Sequence, residues 1–160
     1  VYNSNRLNLI RSTQLTNIGS GNQRAPLVAE FLDRQSNQRF LFMVNHLARG
    51  NNALRHQQAT LLNQWVGQQN LPAISVGDFN FDWSVANLGA SRDAGFDNMI
   101  AGGAWRWVRP SQIVMSHCGA NYNSILDFVF VNNLAAGWNG TSEILVKPGD
   151  CPVNYRDDLD

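Results

Sequence analysis

Three short runs in this chain are so rich in apolar side chains that they have to become strands, and each carries or ends on a residue that an interior tolerates poorly. Residues 39–44 read RFLFMV and lead into Asn45 and His46; residues 73–76 read AISV and lead into Gly77, Asp78, Phe79 and Asn80. Residues 124–131 read SILDFVFV, with Asp127 inside the run. The nearly continuous run over 39–44 has the pattern of a strand buried on both faces. A carboxylate in an apolar run is costly unless it is paired, holds a metal or belongs to a site. Residues two apart in a strand share a face, so Asp78 and Asn80 are expected to point at one ligand with Phe79 packed behind. Gly77 leaves room there for close backbone approach.

The rest of the chain supplies the frame. Leu7 and Leu9 alternate with Arg6 and Asn8, the period-two signature of a half-buried strand, and residues 16–22, with Gly19 and Gly21, read as a turn. A strand over 26–32, a break over 33–37 and the run 39–44 then make a meander. From Asn51 the period becomes helical: Leu54, Leu61, Leu62, Trp65 and Val66 fall on one stripe, with Arg55, Gln58, Gln64 and Gln68 mostly off it. Asn51 or Asn52 is the expected N-cap, and Pro72 follows the helix. Residues 84–103 read as a short helix plus loops, and further strands are expected over 104–108, 125–131 and 143–146. Neither a repeat nor a low-complexity linker divides the chain, so residues 1–160 are expected to form a single α+β domain with helices on a mostly antiparallel sheet.

Lys plus Arg and Asp plus Glu both number 12, so the formal net charge is zero and any binding of a polyanion has to be local. The sequence contains no run of the roughly 18 apolar residues that a membrane helix needs. Cys118 and Cys151 lack metal-ligand spacing, and one disulfide or two buried thiols are both compatible with them. Trp105 and Trp107 share a face that suits sheet packing better than base stacking. His56, His117 and the acidic residues Asp157, Asp158 and Asp160 read as structural or surface groups, and Asn139-Gly140-Thr141 as a turn. Cellular location and oligomeric state stay open.

Carboxylate and amide oxygens suit hard divalent cations such as Mg²⁺, and a nearby imidazole can donate a proton to a leaving or non-bridging oxygen. Such a set without thiolates fits metal-assisted hydrolysis of phosphate esters. The segments 39–69, 71–82 and 124–131, in this order and with the amphipathic helix among them, resemble successive motifs of the endonuclease/exonuclease/phosphatase superfamily, which includes the deoxyribonuclease I-like enzymes. The resemblance implies a four-layer α/β/β/α sandwich with its active site at one end of two packed sheets. It also implies a metal-dependent phosphodiesterase or phosphomonoesterase using Mg²⁺, or else Mn²⁺ or Ca²⁺. Nucleic acid is the leading substrate, ahead of a phospholipid head group or a sugar phosphate.

Residue by residue, the resemblance gives His46 the role of phosphate contact and general acid. Asp78 and Asn80 match a Gly-Asp-x-Asn motif in which the aspartate positions the attacking water or a metal and the asparagine orients the phosphate. Asp127 matches a strand aspartate that pairs with a catalytic histidine near the C-terminus, and Asn45 is a candidate for substrate binding. The superfamily's early Asn and Glu metal ligands and its closing Ser-Asp-His have no counterpart in this sequence. The N-terminal strands and C-terminal end of the domain are therefore expected to lie outside it, with Asp78 as the metal ligand present. All five residues are expected to converge in one cleft. The alternative is a non-catalytic or truncated module of the same fold that binds phosphorylated ligands.

Overall fold

A computed structural model describes residues 1–19, 24–116 and 123–145. Gly21, His117, Cys118, Cys151 and the acidic residues 157–160 lie outside the described residues. Six strands form one sheet: β1 (Leu7–Gln14), β2 (Leu27–Asp33), β3 (Gln38–His46), β4 (Ala73–Ser84), β5 (Trp105–Trp107) and β6 (Ser124–Asn132), in the order β1-β2-β3-β4-β6-β5. All neighbours are antiparallel except β3 and β4. A parallel pair needs a crossover, and helix α1 (Asn52–Gly67) supplies it. A second helix, α2 (Ala94–Ile100), follows β4.

Both helices pack on one face of the sheet. Leu41, Met43, Phe79, Phe81, Phe128 and Phe130 meet Ala59, Leu62 and Val66 of α1 and Phe96 and Met99 of α2 in a single core. The Asn51 side chain caps α1 by accepting from the Leu54 N–H at 3.0 Å. Its fully buried line is Arg55, Gln58, Ala59, Leu62 and Val66 at three- and four-residue spacing, while Leu54, Leu61 and Trp65 are half-buried. Two polar residues read as lying off the apolar stripe, Arg55 and Gln58, are therefore inside. Trp105 is buried and donates its Nε1–H to the Leu62 carbonyl at 3.1 Å, and Trp107 packs on Trp83, Phe96 and Phe128. This pair belongs to the core of the sheet.

The other face is differently made. Phe42, Val44, Ile74, Val76, Val129 and Val131 are cross-strand neighbours on it, and none of them is fully buried. Val44 is 48% exposed and Leu27 is 45% exposed. No described strand or α-helix covers this face; the 3₁₀ turn Ala136–Trp138 reaches it through Trp138, which sits edge-on to Phe40. Residues 39–44 are thus buried on one face, not two, and the described residues form two layers where four were expected. Strand β1 is an exposed edge that presents Leu9 and Ile10 to solvent. Residues 143–145, expected to open a strand, are irregular.

Candidate active site

The sheet register brings three of the expected residues together. His46 pairs with Asp78 across β3 and β4, and Asp78 pairs with Asp127 across β4 and β6. Cross-strand partners share a face, so all three lie on the open face at the end where β3 stops. His46 Nε2 is 3.8 Å from Asp78 Oδ2. Both side chains are about a quarter exposed, whereas Asp127 is exposed. Asp127 interrupts an apolar run at no burial cost because no described strand or α-helix covers its face.

Gly77 makes the close approach of β3 and β4 possible. Its φ is +130°, and a Cβ there would stand 2.1 Å from the Asn45 carbonyl oxygen. Beyond Asp78 the strand bulges, with Asn80 at φ 53° and Asp82 at φ 43°, and the β6 register shifts between Asp78 and Trp83. The bulge breaks the two-residue alternation. Phe79, Asn80 and Phe81 are all buried, and Asn80 reaches Asp78 through its backbone N–H, which donates to Asp78 Oδ1 at 2.8 Å. The Asn80 side-chain amide donates instead to the Leu47 carbonyl at 2.9 Å. Asn45 faces the helix side, where its amide donates to Ser75 Oγ at 2.7 Å and its Oδ1 is buried with no hydrogen-bond partner among the described residues. Hence His46, Asp78 and Asp127 share a surface, Asn80 buttresses it from beneath, and Asn45 lies behind the sheet.

The loop after His46 is clamped. Arg55 donates to the carbonyls of Ala48 and Arg49, each at 2.8 Å, and to Asp93 Oδ2 at 2.7 Å. Gln58 Oε1 accepts from the Ala48 N–H at 3.0 Å. This clamp is why both polar side chains are buried in α1. Burial pushes the Asp93 carboxyl up, but hydrogen bonds from Arg55, His56 and the Gly95 N–H outweigh it and hold the group below the usual carboxylate range. Asp78 moves the other way. Partial burial, opposed by the Asn80 N–H and reinforced by the charge of Asp127, pushes it up to about 6.

Two residues that sequence reasoning did not single out touch the set. The Ser116 hydroxyl donates to Asp127 Oδ2 at 2.7 Å and accepts from the N–H groups of Leu126 and Asp127. Arg24 Nη1 stands 2.7 Å from His46 Nδ1. Neither lies in a motif or an apolar period, and only the folded chain brings them near. A recess of about 370 Å³ adjoins Asp127, lined by Gly77, Trp107, Ser116, Val129 and Leu145 among others. Among the described residues no group of three His, Cys, Asp or Glu side chains is arranged to hold a metal ion. Asp78 and Asp127 are the carboxylates a cation could reach, and their mutual repulsion is what a cation would relieve.

Such a sheet, with its helices on one face and ionisable groups at the strand ends of the other, has the fold of endonuclease/exonuclease/phosphatase proteins, the superfamily its motifs resemble. No family model matches the sequence, and no curated protein matches it. Among solved structures, the chain is similar to a mannosyl-6-phosphatase from Bacteroides thetaiotaomicron, with a TM-score of 0.63 and 17% identity over 82% of this chain and 55% of that one. It is similar to TDP2 from D. rerio complexed with single-strand DNA product, with a TM-score of 0.61 and 16% identity over 80% of this chain and 54% of that one. An endonuclease/exonuclease/phosphatase family protein from Bacteroides thetaiotaomicron gives 0.58 and 16%, over 82% of this chain and 52% of that one. The chain thus spans about half the length of the solved structures it matches.

Proposed function

We propose that this chain carries part of the active site of a metal-dependent phosphoesterase, with His46, Asp78 and Asp127 acting on one phosphate ester. The observation behind the reading is that the sheet register gathers one imidazole and two carboxylates on the same face, on a fold shared with phosphoester hydrolases. The donor set fits a hard cation: Mg²⁺ takes one or two carboxylates, keeps waters and accepts phosphate oxygens as further ligands. When bound, it would polarise a phosphoryl oxygen and make a bound water more acidic. Asp78 would hold it, at a carboxylate already fixed by the Asn80 N–H. His46 would donate a hydrogen bond from Nε2 to a phosphate oxygen, and Asp127, held by Ser116, would orient a further group of the site. Asn80 and Asn45 are read as supports, one beneath Asp78 and one between β3 and β4.

Nucleic acid leads as substrate, ahead of a sugar phosphate or phospholipid head group. The similar structures include one with a DNA product and one that is a sugar phosphatase. The net charge of zero leaves recognition to local contacts. We read the open apolar face as the seat of a second sheet, which would complete a four-layer sandwich around the same strand ends. A second reading is a module that binds a phosphorylated ligand without turnover, in which Asp127 is paired with the Ser116 hydroxyl.

The test is hydrolysis of a chromogenic phosphodiester, a phosphomonoester and a single-stranded oligonucleotide. Each is measured with Mg²⁺ and with chelator, on the chain and on a version extended by its native flanking residues. Turnover that needs Mg²⁺ and is lost in Asp78→Ala supports the hydrolase. Phosphate-ligand binding without turnover in the extended protein supports the binding module instead.

A further inference from the structure

We infer that Arg24 sets the tautomer of His46, holding ring nitrogen Nδ1 as an acceptor so that Nε2 carries the proton into the cleft. A guanidinium offers only donors and keeps its charge throughout the working pH range. Its Nη1 lies 2.7 Å from His46 Nδ1, so that nitrogen has to present its lone pair. A neutral imidazole has one donor and one acceptor nitrogen. The proton therefore sits on Nε2, which faces Asp78 Oδ2 at 3.8 Å.

Two backbone ties fix the geometry. Arg24 precedes β2 just before Pro26, whose carbonyl accepts from the Leu15 N–H at 2.9 Å. His46 ends β3, and the next residue is tied to β4, with the Leu47 N–H donating to the Asp78 carbonyl at 2.9 Å. Arg24 is thus a positioning residue that acts through His46. This rests on the reading of His46 as a phosphate contact, and it supplies what that role requires: a hydrogen-bond donor, and not a lone pair, turned toward the substrate.

The tautomer is read without turnover, from the side-chain ¹⁵N spectrum of the full chain at about pH 8. The His46 signals are assigned by their loss in His46→Gln. Wild type should show the proton on Nε2 and a bare Nδ1. Arg24→Gln keeps an N–H donor and should preserve that pattern, whereas Arg24→Glu offers only acceptors and should move a proton onto Nδ1. A protonated Nδ1 in wild type, or a bare Nδ1 in Arg24→Glu, overturns the inference. If Arg24→Glu fails to fold, as its backbone amide spectrum would reveal, the wild-type and Arg24→Gln spectra still decide. An Arg24-independent ring sinks this inference and leaves the hydrolase reading standing. An Arg24-set ring in an extended protein without turnover sinks only the hydrolase reading.

Discussion

Asp78 is a residue at which stability and chemistry pull in opposite directions. An aspartate in an unfolded chain titrates near about 3.9, while burial and the neighbouring Asp127 push the folded group up to about 6. The folded state then binds the proton more tightly than the unfolded one, so its contribution is complete below about pH 4 and is lost as the pH rises through about 6. A rise of that size corresponds to about 3 kcal/mol, an upper value for a side chain that water partly screens. Asp78→Asn should accordingly match wild type at pH 4 and exceed it by about 1 to 3 kcal/mol at pH 7, measured by urea unfolding at both values. Equal midpoints at pH 7 would mean that the carboxylate is not under strain. Mg²⁺ should raise the wild-type midpoint and leave that of Asp78→Asn nearly unmoved, since a ligand stabilises only the state it binds. Gly77 is the other residue under tight constraint. Gly77→Ala would force its Cβ against the Asn45 carbonyl, part β3 from β4 and carry His46 away from Asp78.

Helix α1 connects the core to the site, and its two kinds of buried residue can be separated by mutation. Leu62 is fully buried, so Leu62→Ala should cost roughly 2 to 5 kcal/mol, and an effect below about 0.5 kcal/mol would remove it from the core. Arg55→Leu leaves Asp93 buried without its main partner and frees the Ala48 and Arg49 carbonyls, which should cost roughly 3 to 5 kcal/mol. It should also loosen the loop after His46, visible as faster amide exchange there. The helix, its cap and the strand order β2-β3-α1-β4 were legible in the sequence because period and turn chemistry are local signals. The buried Arg55 and Gln58 were not, since their warrant is a set of backbone carbonyls and an N–H on another loop. Asn45 and Asn80 were misdirected for a related reason: strand alternation assumes regular backbone, and Asn80 lies in a bulge with positive φ. Asn45 follows the alternation faithfully, which puts it one residue, and therefore one face, away from His46.

At the scale of the molecule, the open sheet face and the site at its edge make one linked prediction. Val44 and Leu27 are nearly half exposed on a face otherwise built of Phe, Ile and Val, and exposed apolar surface of this kind usually has a partner. The 160-residue chain alone should therefore bind a hydrophobic dye and hydrolyse DNA or a chromogenic phosphodiester poorly or not at all with Mg²⁺. A hard cation held by few carboxylates binds weakly, and among the described residues Asp127 has a serine hydroxyl as its neighbour and no histidine. Extension by the native flanking residues should quench dye binding and raise the rate by orders of magnitude together, since acid–base groups alone contribute roughly 10² to 10⁴-fold. In that extended protein His46→Ala and Asp78→Ala should each abolish most of the gain while circular dichroism stays unchanged. Robust Mg²⁺-dependent turnover by the 160-residue chain would show that the described face already holds a complete site. Quenched dye binding without any gain in rate would separate the two halves of the argument, leaving the second sheet in place and the hydrolase without support.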